Sequence, residues 1–297
     1  MDHATDIFVD GIGAEPEQSK GTISGNTGGL VALPVLWHFT VSHFNEKIRW
    51  ALDFKRAPHV RRALLPGFHF RKIWRMTGQT AVPVFVLDGR PIHDSTRIIA
   101  ALERAYPEPP VYPRKEPARR RALELEDFFD EELGPSIRAM LVHAQFVHNP
   151  DLTAALFTVG MGRGSRRTLR ILSPVFRPLY RFRYKINAAS AEVAREKTIA
   201  ALDRIERELQ PSGYLVGDGF SVADLTAAAL LYPLVQPPEF PYPWPRPLPA
   251  WLGEYRASLT RHAAFQWVEE MYRRHRGTSG EVVREQERRW VDTSDAC

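Results

Sequence analysis

The sequence holds one cysteine in 297 residues, and it is the last, Cys297. No internal disulfide and no cysteine-based metal cluster can form, which fits a reducing compartment and a cytoplasmic location. Long apolar runs are also missing. The longest, LTAAALLYPLV at 225–235, has the length of a buried core helix and falls short of the ~18 residues of a membrane span. The opening stretch, 1–30, is rich in glycine with Phe8 its single aromatic, and has no basic start leading into an apolar segment. That excludes a secretory signal and reads as a disordered leader. Acidic residues are absent from 152–191, which carries eight bases: Arg163, Arg166, Arg167, Arg170, Arg177, Arg181, Arg183 and Lys185. Phe176, Tyr180, Phe182 and Tyr184 are interleaved with them. The overall charge of +5 is low for a nucleic-acid binder, and no nucleic-acid partner is expected.

What is present is ordinary for a folded chain, with 44% hydrophobic and 25% charged residues. LPVLWHF at 33–39 reads as a buried strand. A helix follows at about 44–56, with Phe44, Ile48, Ala51 and Leu52 on one face. HVRRALL (59–65) is a second strand, and 68–78 is a short helix ended by Gly78. VPVFVLDG (82–89) turns at Asp88-Gly89 into RPIH (90–93), a hairpin signature. Asp94-Ser95 then opens a helix to 106. Alternating strands and helices of this kind predict a small mixed sheet covered by helices over 31–106. Five prolines in 107–117 make a stiff linker. Beyond it, 118–275 is helical in pattern: 118–148 with a kink or break at Gly134-Pro135, 189–209, a central helix at 222–235, and a last helix at 250–275. The proline-rich segment 236–249 reads as a crossing loop, and 276–297 as a charged tail in which Trp290 is a local anchor.

The order of elements, with these residues in place, resembles the glutathione S-transferase family over roughly 33–275. Three stretches carry the resemblance. SHFNEKIRWAL (42–52) is similar to the Ser/Cys-Pro-x-x-x-Lys/Arg-Val-Arg pattern, with Ser42 at the catalytic Ser/Cys position and His43 where proline is usual. AVPVFVLDGRPIHDSTRI (81–98) resembles the Val-Pro and Asp/Glu-Ser signature. GFSVADLTAAA (219–229) is similar to the Ser/Thr-x-x-Asp box of the second domain. The resemblance implies an α/β thioredoxin-like N-terminal domain followed by an all-α C-terminal domain. The basic segment 152–191 then looks like an insertion, read either as a solvated helical extension or lid, or as a contact for an anionic co-substrate or a weak contact with anionic lipid.

The resemblance also implies a site for glutathione as co-substrate. Pro83 is expected in the cis form, exposing the backbone of Val82 to pair with the cysteinyl segment of the peptide. Asp94 and Ser95 would hold the γ-glutamyl end at a helix N-terminus, though capping alone also explains such a pair. Gln79, His69 and Lys72 are candidates for the glycine carboxylate. Ser42 would favour the glutathione thiolate with its hydroxyl, with Thr40 and Asn45 as alternative donors; by itself the position is an ordinary helix cap. With serine in place of cysteine, conjugation to a small hydrophobic electrophile or glutathione-dependent reduction is expected rather than thiol transfer. A homodimer and no metal are the implied assembly and cofactor state. A non-catalytic binding module on the same fold is the alternative. Ser221 and Asp224 read as a structural capping box. Asp224→Ala is expected to cost about 1 kcal/mol of stability with activity retained, to be checked by thermal melting.

Overall fold

A computed structural model describes residues 32–283. Strands β1 (Val35–His38), β2 (Val60–Ala63), β3 (Val84–Leu87) and β4 (Arg90–His93) form one sheet in the order β2-β1-β3-β4. β1 runs parallel to β2 and antiparallel to β3. Helices α1 (His43–Phe54), α2 (Phe70–Thr77) and α3 (Ser95–Ala105) complete this α/β part. Asp88 and Gly89 both take positive φ in the β3–β4 turn, as the Asp-Gly pair predicts.

The rest is helical: α4 (Glu116–Phe128), α5 (Gly134–His148), α6 (Pro150–Phe157), α7 (Arg163–Arg183), α8 (Ala188–Glu208), α9 (Val222–Val235), α10 (Ala250–Leu259) and α11 (Ala263–His275). This is the expected α/β domain followed by an all-α region. α9 is buried on every side, as its unbroken apolar run requires, and packs directly on α1.

One helical expectation is refined and one is corrected. The 118–148 run is interrupted next to Gly134-Pro135, by a widened turn rather than a stop. The helix widens into one π-helical turn, Phe129–Leu133, just before Pro135, which has no N–H to donate to that turn, and continues as α5. A β-carbon at Gly134 would overlap the Phe44 ring, so any other residue there forces that ring to move. The single helix at 250–275 is two. Ser258 and Thr260 hydroxyls donate to the carbonyls of Tyr255 and Ala257, competing with the helical ladder at the end of α10. The new start at α11 has Ala264 N–H donating to Glu206.

The segment read as a charged tail begins inside the fold. Arg276 is buried and pairs with Glu46 and Asp53 of α1, at 2.6 Å each. Asp53 also accepts both 2.6 Å contacts from Arg61 of β2 and a bond from Gly280 N–H at 2.8 Å. Burial alone would raise the Asp53 carboxyl; Arg276 and Arg61 outweigh it and hold it below the ordinary range. Val282 N–H donates to the His59 carbonyl at 2.8 Å next to β2. Trp290 and the leader at 1–30 lie outside the described residues.

Asp224 is also tied more tightly than a surface cap. It is buried and accepts from Leu215 N–H, Ser221 N–H and the Ser221 hydroxyl, at 2.8, 2.9 and 2.7 Å. Three orphaned donors put the cost of Asp224→Ala nearer ~3 kcal/mol than the ~1 kcal/mol of an exposed cap. Arg276→Ala removes one of two arginine partners from each of two buried carboxylates, Glu46 (still paired to Arg49) and Asp53 (still paired to Arg61), and is expected to cost about 3 kcal/mol. Urea unfolding checks both, with the exposed Arg274→Ala as a control near zero.

Candidate functional site

The loop between β1 and α1 is held by buried side chains at three successive carbonyls. Arg49 donates to Phe39 O at 3.1 Å and to Thr40 O at 3.0 Å, and the Tyr232 hydroxyl of α9 donates to Val41 O at 2.5 Å. Arg49 is itself fully buried, paired to Glu46 at 2.8 Å, with its guanidinium over the Tyr242 ring. Its NH1 also donates to His38 Nδ1 at 3.0 Å. Burial, reinforced by Arg49 and Arg61, holds His38 well below its usual pKa, so the ring accepts as the neutral form. Asn45 receives Phe39 N–H at 3.2 Å from the other side. The clamp delivers Ser42 to the N-cap of α1.

Ser42 has extended backbone angles (φ −83°, ψ 127°) and accepts Asn45 N–H at a long 3.4 Å. Accepting one long bond leaves its own O–H free to donate. His43, the residue in the usual proline position, is buried, and its Nε2 lies 2.9 Å from the carbonyl of Gly134. Burial, then the charge of Arg138, lowers His43 to about 3, so the ring is neutral and donates this bond. The histidine therefore fixes the loop to the start of α5 and does not loosen it. Lys47, one turn on, is buried between Glu126 (2.8 Å) and Asp130 (2.6 Å), and Thr96 of α3 donates to the same two carboxylates. Burial alone would lower Lys47; Asp130 and Glu126 outweigh that and raise it, so it is charged.

Ser42 opens onto a cleft of about 750 Å³. Val82 and the 66–70 segment line it from the α/β domain; α5, α6 and α7 line the opposite wall. That wall is apolar, with Leu141, Phe157, Leu172 and Phe176 among its residues, apart from Arg138, Gln145 and Arg183. Among the described residues, no acidic side chain lines the cleft. Arg138 and Arg183 both sit over the Tyr184 ring, at 4.6 and 5.3 Å. The Gln145 amide nitrogen is buried with no hydrogen-bond partner.

The Val82-Pro83 bond is cis. The Val82 carbonyl lies 3.5 Å from Asn45 Nδ2. Val84 pairs with His93, so one step further along the ladder Pro83 stands opposite Asp94. Asp94 takes φ 74°, unusual for a residue with a side chain, and caps α3 by accepting Arg97 N–H at 3.1 Å. Ser95 is buried at the first position of α3. Ser42 and Val82 thus line the cleft, while Pro83, Asp94 and Ser95 do not line it and lie beyond Val82 at the β3 and β4 ends.

The candidates for the glycine carboxylate are otherwise engaged. Gln79 folds onto its own loop, donating to Ala81 O and Thr77 Oγ1 at 3.0 Å each and accepting Ala81 N–H. Lys72 Nζ lies 3.8 Å over the Trp37 ring. His69 lines the cleft, but burial lowers its pKa and it packs edge-on against Phe39. Thr40 is buried, with its hydroxyl unpartnered. Arg138, Gln145 and Tyr232 were not singled out from the sequence, and Arg183 was named only as one of the bases of 152–191. Only the acid-free composition around Arg183 pointed there; nothing in the spacing of 134–148 marks Arg138 and Gln145.

Because His43 is neutral when folded and titrates near 6.5 when unfolded, the unfolded chain binds more protons below that value. The stability tied to His43 is therefore present above pH 6.5 and is lost as pH falls toward about 3. Denaturant unfolding should show wild type losing stability relative to His43→Gln between pH 6.5 and 4; parallel curves would contradict it.

A family model described as "Glutathione S-transferase, N-terminal domain" matches residues 36–110, and one described as "Glutathione S-transferase, C-terminal domain" matches 187–254. Among solved structures, beta-etherase LigF from Sphingobium sp. strain SYK-6 is similar at TM-score 0.53 and 18% identity, covering 80% of this chain and 99% of that one. FzlA from C. crescentus is similar at 0.52 and 22%, covering 81% and 88%. A glutathione S-transferase from Pseudomonas fluorescens Pf-5 is similar at 0.52 and 18%, covering 84% and 99%. At these identities the structures show a shared fold. No curated protein matches the chain. With both domain models matched in order on either side of an unmatched 111–186, the chain has the two-domain glutathione S-transferase architecture.

Proposed function

We propose that the protein activates glutathione as a thiolate for conjugation to, or reduction of, a small hydrophobic electrophile, a detoxification chemistry. The observation that carries this reading is the Ser42 hydroxyl, free to donate, at the N-terminus of α1 on the edge of an apolar cleft. A thiol of pKa ~8.5 is only a few per cent ionised at neutral pH. Lowering it by ~2 units takes about 2.7 kcal/mol, the order supplied by one charge-assisted hydrogen bond and a helix dipole. No general base is needed, and neutral His43 does not serve as one.

Glutathione in this reading lies along the backbone of Val82 beside cis-Pro83. Its γ-glutamyl end is held by Asp94 and Ser95, and its sulfur points to Ser42. The electrophile occupies the apolar wall of α5–α7. No residue here requires a metal. A two-fold dimer is the expected assembly.

One observation favours a second reading, a non-catalytic binding module. Gln79, Lys72 and His69, the candidates for the glycine carboxylate, are all engaged within the α/β domain. Retention on immobilised glutathione, followed by conjugation of a neutral aryl halide, separates the two. Binding with turnover supports the transferase, binding without turnover the module, and absence of binding defeats both. In a turnover assay, Ser42→Ala should lower kcat/KM by roughly 10–100-fold at neutral pH, the loss expected for one such hydrogen bond. The acid limb of its rate profile should move to higher pH, with KM for glutathione changed little. An unchanged profile would remove Ser42 from the chemistry.

A further inference from the structure

We propose that the mouth of the cleft, between α2 and α7, docks onto an anionic lipid surface. α7 is anchored on one face only. Leu169 and Ser173 are buried, Phe176 and Tyr180 pack on Phe157, and Tyr180 also packs on Phe146. A second face is apolar and uncovered: Ile171, Val175 and Phe182, at i, i+4 and i+11, are 68, 70 and 84% exposed. Arg163, Arg170 and Arg181 run down the flank beside it. Across the mouth, Phe70 and Trp74 of α2 form an exposed apolar pair at i, i+4, flanked by Arg71, Lys72 and Arg75. Phe68, Phe70, Leu172, Val175 and Leu179 are both exposed and part of the cleft lining, which places the two patches on one rim.

Charge identifies the occupant. The chain has no Asp or Glu between 54 and 87, the stretch holding α2, or between 152 and 191, the stretch holding α7. Among the described residues, none of the bases named on this rim forms an ion pair. Bases set around protruding aromatic and aliphatic side chains match a surface with anionic headgroups over an apolar interior. A second copy on a two-fold axis would bring these like charges face to face. A polyphosphate backbone would leave the apolar residues without a partner. α7 also lies in the stretch that neither family domain matches, so the surface is not part of the matched architecture. On the membrane, the cleft opens toward the bilayer. This docking does not depend on the transferase chemistry.

Flotation of the full chain with vesicles tests it, comparing pure phosphatidylcholine with phosphatidylcholine carrying about one third phosphatidylserine, a composition with the negative surface potential of a cytoplasmic leaflet. Binding to the anionic vesicles that falls at high salt is expected, with little binding to neutral ones. Arg167→Gln/Arg170→Gln and Ile171→Ser/Phe182→Ser should each weaken it by roughly tenfold or more, while retention on immobilised glutathione stays at the wild-type level. In the wild type, brominated lipid should quench fluorescence that Trp74→Phe no longer shows, which tests the contact without relying on the α7 variants. Equal binding to both vesicles, no binding, or binding untouched by both double variants would overturn the proposal. So would a solution dimer that dissociates in Ile171→Ser/Phe182→Ser, which would make a second copy the occupant.

Discussion

Everything proposed for the cleft depends on three consecutive carbonyls, Phe39, Thr40 and Val41, being held from behind. A loop that presents a hydroxyl to a ligand is exposed on one side and must be fixed from the other. Arg49 fixes the first two and Tyr232 the third. Arg49 is held in turn by Glu46, and Glu46 by Arg276. Arg276 also grips Asp53, which Arg61 and Gly280 complete. The position of Ser42 is therefore coupled, through buried ion pairs, to the chain just after α11. Such pairs add little net stability over an apolar core, but each member is costly to remove alone. Their role here is to define one geometry.

His43 fits the same logic. Proline would restrict the loop through its own ring. Histidine restricts it through a bond to the carbonyl of Gly134, at the widened turn where α4 passes into α5. The α/β domain and the helical region thus meet at the residue next to Ser42. Lys47, between Glu126 and Asp130, repeats the connection one turn along α1.

Much of this fold was readable because its signals are local. The Asp-Gly turn, the αL glycine at 78, the wholly apolar α9 and the box at Ser221–Asp224 each follow from a few neighbouring residues. The cis bond at Pro83 and the pairing of Ser42 with Val82 in one cleft were reached through resemblance, since spacing alone leaves Ser42 a cap. What stayed hidden was long-range. Arg276 looked like the start of a charged tail because its partners lie more than two hundred residues earlier. Gln79 looked available because its bonds to Ala81 and Thr77 depend on how the loop folds back. The widened turn at 129–133, and the break at 260–262 where hydroxyls compete for carbonyls, are features that helical periodicity does not register.

α7 gives the cleft its particular character. It lies between the two matched domains, supplies much of the apolar wall, and adds bases without any compensating acid. α7 forms part of the wall that faces Ser42 across the cleft. The account stands most directly on the ionisation of bound glutathione. An ultraviolet titration of the thiolate in the complex should place its pKa about 2 units below the free value. A bound thiol that titrates like free glutathione would contradict the account.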